Sequence, residues 1–133
     1  METIQNKIFE NEFMRLEMKD DIMYGTYKKG PITLELAKQV VKHRLQFTGN
    51  KKVPILASEQ GLKGIERDAR QYLSSEEGVE GLSAAAIVNK SVFGSHLANF
   101  FMKIAFNRPR IPARVFTDET EAIQWLKQYI VTE

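Results

Sequence analysis

Three short apolar runs, Val53–Ala57, Leu82–Val88 and Ala113–Phe116, constrain this chain more than any other feature, because segments with helical spacing separate them. Runs of that length fit strands buried on both faces, and their alternation with helices predicts a sheet whose later strands are parallel, joined by right-handed crossovers. Leu82–Val88 is the most telling. Its Ser83-Ala84-Ala85-Ala86 core is poor in side-chain bulk, which suits a central strand pressed by helices despite alanine's weak strand preference.

Upstream, Phe13–Met18 alternates apolar and charged residues, and Ile22–Tyr27 follows after Lys19-Asp20-Asp21, so a β-hairpin is expected. Thr33 is placed to cap a helix in which Leu34, Ala37, Val41 and Leu45 recur at helical spacing until Gly49-Asn50 ends it. A second helix fits Ile65–Ser74, with Ala69, Tyr72 and Leu73 on its inner face. A third begins near Ser91, carries Phe93, Leu97, Phe101 and Ile104 as an apolar stripe, and stops before Pro109 and Pro112. Thr117 and the acids after it start a fourth, buried through Ala122, Trp125, Leu126 and Tyr129. The expected order is β-β-α-β-α-β-α-β-α, an α/β fold with a mixed sheet of four to five strands and helices packed on it.

At 133 residues the chain suits one domain over 1–133, with its core at about 12–129. It has no cysteine, which excludes disulfides, a thiolate nucleophile and cysteine metal sites. No apolar run approaches the roughly 18 residues of a membrane span, and the N-terminal METIQNKIFENEF lacks the features of a secretory signal. A cytoplasmic location is the expectation.

Catalytic chemistry finds little support. His43 sits between Lys42 and Arg44 and reads as a helix-face residue, while His96 borders the third helix's apolar stripe. There is no HExxH, no GxGxxG, no P-loop and no GxSxG, so no enzyme activity, metal or cofactor is expected. Charge is more informative. The net +2 conceals segments of opposite sign: residues 1–24 hold three bases and six acids, 81–117 hold five bases and no acid, and 118–133 hold one base and four acids. The acid-free stretch carries Lys90, Lys103, Arg108, Arg110 and Arg114 beside the most apolar helix, a pattern suited to an anion, an acidic partner or a solvated rim. Nucleic acid is not an expected partner, since the phenylalanines have core spacing and the domain is not strongly basic.

Several segments together resemble a known group: Val53-Pro54-Ile55-Leu56-Ala57, Ala69-Arg70 before Tyr72-Leu73, Ala84-Ala85-Ala86, Ala98-Asn99-Phe100, and Phe116-Thr117-Asp118-Glu119 with Ala122 to Leu126. They resemble the SpoIIAA-like proteins of the STAS superfamily, in particular a branch of small bacterial proteins of unassigned function. That resemblance implies a mixed sheet of four or five strands, related to anti-sigma-factor antagonists and more distantly to the CRAL-TRIO lipid-transfer fold. Antagonists of that kind bind a kinase-type partner and are switched off by phosphorylation of a serine at a helix start. Here Gly64-Ile65-Glu66-Arg67 stands where the antagonists' Asp-Ser-Ser-Gly belongs, so the phosphorylatable serine is missing.

Two functional readings follow. One is a non-enzymatic regulatory module that binds a protein through Lys63, Glu66, Arg67 and Arg70. The other is a carrier of a small apolar or amphipathic anion, such as a lipid or fatty acid, held between the sheet and the Phe93, Leu97, Phe100 and Phe101 face, with His96 as a candidate ligand contact and Arg108, Arg110 or Arg114 at the mouth.

Overall fold

A computed structural model describes residues 7–89, 96–106 and 110–132. Among these residues the sheet has six strands in sequential order: β1 (Ile8–Glu10), β2 (Met14–Lys19), β3 (Ile22–Lys28), β4 (Val53–Gln60), β5 (Leu82–Val88) and β6 (Ala113–Phe116). The helices are α1 (Leu34–Thr48), α2 (Arg67–Leu73), α3 (His96–Phe106) and α4 (Glu119–Leu126), with a 3-10 turn at Lys127–Tyr129 closing the chain. β1 to β3 pair antiparallel and β3 to β6 parallel, so the sheet is mixed as expected.

The hairpin turns on Asp20 and Asp21, both at positive φ (53° and 66°), with Lys19 opposite Ile22. Two left-handed central residues are what a two-residue type I′ hairpin requires, and aspartate tolerates that region better than most side chains. The strand missing from the expected order is β1, a three-residue edge strand whose Phe9 pairs with Leu16. Pro54 sits inside a central strand because the ladder shifts register there, Val53 pairing with Leu82 and Pro54 with Ala84.

Each crossover adds the next strand in the same direction, so one handedness of connection sends all three crossover helices to one face. Ala37, Val40 and Phe47 of α1, Ala69 of α2, and Leu97, Ala98 and Phe100 of α3 share that face's core with Leu16, Met23, Ile55 and Ala85. On the other face α4 buries Ala122 and Leu126 against Ile22, Leu56, Ala84, Ala86 and Phe116. The three alanines of β5 are fully buried, two under α4 and one on the crossover side, so the small side chains serve both layers.

Helix boundaries follow local chemistry where the caps are local. Thr33 Oγ1 accepts from the Leu36 N–H at 3.1 Å, and Gly49 closes α1 in the left-handed region at φ 65°. Two boundaries differ from expectation. α2 starts at Arg67, not Ile65, because Ile65 is held in a bridge to Ile32, with Glu66 N–H bonded to the Ile32 carbonyl at 2.9 Å. α4 is capped by Asp118, not Thr117: the Asp118 carboxylate accepts from Thr120 N–H at 2.9 Å. The start of the third helix at Ser91 and Phe93 lies outside the described residues.

Candidate functional site

Beneath α3 lies a cavity of about 60 Å³. Leu97, Phe100 and Phe101 roof it, Ile55, Ala57 and Ala85 of the sheet floor it, and Tyr27, Arg44, Ser74 and Arg110 are its charged or hydroxyl-bearing walls. Val79, Leu82, Arg110 and Ile111 border both this cavity and an open surface groove that also carries Lys52, Glu76, Glu77 and Glu80, so those four residues stand between interior and solvent.

Arg44 is the unusual member. It is only 6% exposed, one of two buried polar or charged side chains among the described core residues. Its position follows from α1's inner face, which is built on Ala37, Val40, Val41 and Phe47 rather than on the expected Leu34 and Leu45, both only half-buried. Arg44 falls four residues after Val40 and three before Phe47, in the row that must face inward. Its Nη2 donates to the Gly78 carbonyl at 2.6 Å, tying α1 to the segment between α2 and β5, and its buried Nε has no hydrogen-bond partner. Among the described residues no carboxylate forms an ion pair with it; the pairs seen gather instead on the hairpin, Arg15 with Glu10 and Glu17, Lys28 with Glu10, and Lys29 with Glu12. Tyr72, near the same segment, has its hydroxyl pKa raised by burial and then by a hydrogen bond to Glu77.

Residues expected to serve an anion divide. Phe100 and Arg110 border the cavity. His96 does not: it is exposed at the first turn of α3, where Glu59 at the end of β4 accepts from the backbone N–H of His96 (3.2 Å) and of Leu97 (2.9 Å). A carboxylate of the chain itself therefore occupies the positive end of α3, a contact across 37 residues that no local sequence pattern announces. Arg114 lies on the α4 side of the sheet with its guanidinium over the Phe116 ring at 5.0 Å, and Arg108 lies outside the described residues. His43 is half-buried and stacks on Phe9 with ring centroids 4.8 Å apart, the helix-face role expected of it.

The residues expected to bind a protein lie together on the connection from β4 into α2. Lys63, Glu66 and Arg67 are exposed, and Glu66, although at the N-cap position, makes no side-chain cap bond. Arg70 is turned back, donating from Nη1 to the Ile65 carbonyl at 2.7 Å, so it braces the connection instead of projecting from it. The braced backbone is further fixed by Ile32 N–H bonding to the Gly64 carbonyl at 2.9 Å.

Residues 16–130, from the middle of β2 past the end of α4, match the profile of a domain of unknown function, DUF7793. The chain belongs to that family. No curated protein matches it. Among solved structures, the crystal structure of an uncharacterised DUF3478-family protein with a SpoIIAA-like fold from Shewanella loihica PV-4 is similar. It has a TM-score of 0.58 at 17% sequence identity, covering 85% of this chain and 91% of that one. This DUF7793 chain thus has the SpoIIAA-like fold that its strand and capping residues resemble, in a six-stranded form one strand larger than the upper expectation. Among the described residues no helix is long and apolar enough to cross a membrane, and no group of three or more His, Cys, Asp or Glu side chains is placed to hold a metal ion.

Proposed function

We propose that this DUF7793 chain is a non-enzymatic, cytoplasmic regulatory module that binds a protein partner through the β4–α2 connection. One observation carries the reading: Lys63, Glu66 and Arg67 project, without ion pairs among the described residues, from a backbone held rigid by the Ile32–Ile65 bridge and the Arg70 brace. Unpaired charges on a fixed backbone suit a complementary surface, since only the side chains remain to be ordered on binding. The SpoIIAA-like fold supports the same reading, because this connection is where the antagonists it resembles carry their switch serine. Gly64-Ile65-Glu66-Arg67 offers no serine there, so binding is expected to be constitutive rather than phosphorylation-gated.

Carriage of a lipid or fatty acid is less well supported. A drug-sized or long-chain acyl ligand calls for roughly 300 Å³ or more, and the cavity under α3 provides about 60 Å³. Capture from native lysate tests the protein-binding reading: a specific partner is expected with the parent chain and lost with Arg67→Glu, and unchanged recovery would remove this surface from consideration.

A further inference from the structure

We infer that the cavity under α3 is a binding site for a short-chain monocarboxylate, with Arg44 as its anion-binding residue. An arginine side chain stays charged at any pH a protein meets, and burying a charge is costly unless it is paired and hydrogen-bonded. Arg44 is buried, finds one carbonyl at Nη2, leaves Nε unpartnered, and has no carboxylate partner among the described residues. A guanidinium with a buried, unpartnered Nε–H is matched by a carboxylate, which accepts that bond and supplies the missing charge.

The remainder of the cavity selects the rest of the ligand. Its other walls are almost wholly aliphatic or aromatic, Leu97, Phe100 and Phe101 above and Ile55, Ala57 and Ala85 below, which favours an organic acid with an apolar tail over an inorganic oxyanion. At about 60 Å³, and with roughly 10–15 Å³ needed per water-sized group, the space holds about four to six such groups, the size of a carboxylate with about two to four carbons. Tyr27, another wall, has a hydroxyl that makes no hydrogen bond among the described residues, leaving a second donor inside. Entry is by the boundary with the outer groove at Val79, Leu82, Arg110 and Ile111. That groove sets Lys52 and Arg110 against Glu76, Glu77 and Glu80, so its rim is not net basic and the buried charge that selects an anion is that of Arg44.

Titration of the full-length, 15N-labelled chain with sodium propionate, at constant ionic strength, tests the site by NMR. Saturable shifts are expected at the Arg44 Nε–H and at the backbone amides of Gly78, Ala85 and Ala113. Propionamide, which has the same shape without the charge, is expected to bind at least about tenfold more weakly, the cost of losing one charge-assisted bond. Arg44→Met should abolish the response. Because that variant also loses the Gly78 bond, Ala113→Leu provides a second test: it fills the cavity from an edge strand and should abolish the response while the rest of the spectrum stays folded. No saturable shift, an equal response to propionamide, or an undiminished response in Ala113→Leu overturns the proposal and leaves the cavity as a site for water. The site rests on the cavity alone, so loss of the partner surface in Arg67→Glu would not move any of these readouts.

Discussion

Gly78→Ala is the substitution for which the structure gives the sharpest expectation. A Cβ built on Gly78 would lie 2.0 Å from the Tyr72 carbonyl oxygen and 2.7 Å from the Leu73 carbonyl carbon and Cα, all of them backbone atoms. Non-bonded carbon contacts settle near about 3.5–4.0 Å, so the segment must move by more than an ångström, and no side-chain rotation can relieve it. That segment is held at several points: Gly78 N–H bonds to Ser75 Oγ at 3.1 Å, Val79 N–H to the Ser75 carbonyl at 3.0 Å, and the Gly78 carbonyl accepts from Arg44 at 2.6 Å. Overpacking of this kind costs about 1–3 kcal/mol, and loss of the charge-assisted bond to a buried guanidinium about 1.5–3 kcal/mol. The expected loss is therefore about 4 kcal/mol, a large part of the roughly 5–15 kcal/mol that holds a domain folded. In urea, with an m-value of about 2 kcal/mol/M, the midpoint should fall by about 2 M.

Trp125 is a suitable reporter, half-buried and packed on Phe116 and Tyr129 with ring centroids 5.6 Å and 4.9 Å away. Its fluorescence transition should coincide with that of far-ultraviolet circular dichroism. Gly61→Asn is the control: Gly61 has φ +73° but nothing within 4 Å of its Cβ position, and asparagine accepts the left-handed region, so a change within about 0.5 kcal/mol is expected. A Gly78→Ala midpoint indistinguishable from the parent would refute the packing of the α2–β5 segment, and with it the placement of Arg44.

Glu59→Ala should destabilise the chain by about 1 kcal/mol, since it removes the acceptor for His96 and Leu97 at the start of α3, and faster amide exchange should appear there before anywhere else. Stability should also fall at alkaline pH. Burial first, then Glu119, Asp20 and Glu17, raise the Tyr24 hydroxyl pKa, and burial with the Glu77 hydrogen bond raises that of Tyr72. Above about pH 10 the unfolded chain then loses these protons first, so stability present below that pH declines as pH rises through the folded-state values. Thermal melts across that range should show a shallower decline in Tyr24→Phe and Tyr72→Phe; equal slopes would remove these two groups as the cause.

How much was legible in the sequence depended on how far each residue's partner lies along the chain. α1 could be bounded from Thr33 and Gly49 because each acts on backbone within a turn of itself. The hairpin was legible for the same reason, its two aspartates filling the tight turn. β1 was not, since a three-residue edge strand has no periodicity and is defined by its pairing with β2. Arg44 was hidden inside Lys42-His43-Arg44, a cluster that reads as a solvated face; only the inward row of Ala37, Val40 and Phe47 marks its third member as buried. Glu59 lies beyond the expected strand Val53–Ala57, and nothing local marks its role, because its amide partners lie 37 and 38 residues later. Of the expected site residues, Phe100 and Arg110 were placed at the cavity by α3's spacing and the loop after it, whereas the parity of β6 carries Arg114 to the opposite face with Phe116.

The regulatory reading is tested most directly by comparing capture with three versions of the full-length chain from the same native lysate: parent, Arg67→Glu and Arg114→Glu. Arg67 is exposed at the start of α2, and Arg114 is exposed on the other side of the sheet, so the two reversals change charge equally on opposite faces. Quantitative mass spectrometry should find a partner that the parent and Arg114→Glu recover alike and that Arg67→Glu loses by about tenfold or more, the effect of one like-charge contact in an interface. Equal recovery by Arg67→Glu, or a partner lost only with Arg114→Glu, would contradict the assignment of the β4–α2 connection as the binding surface.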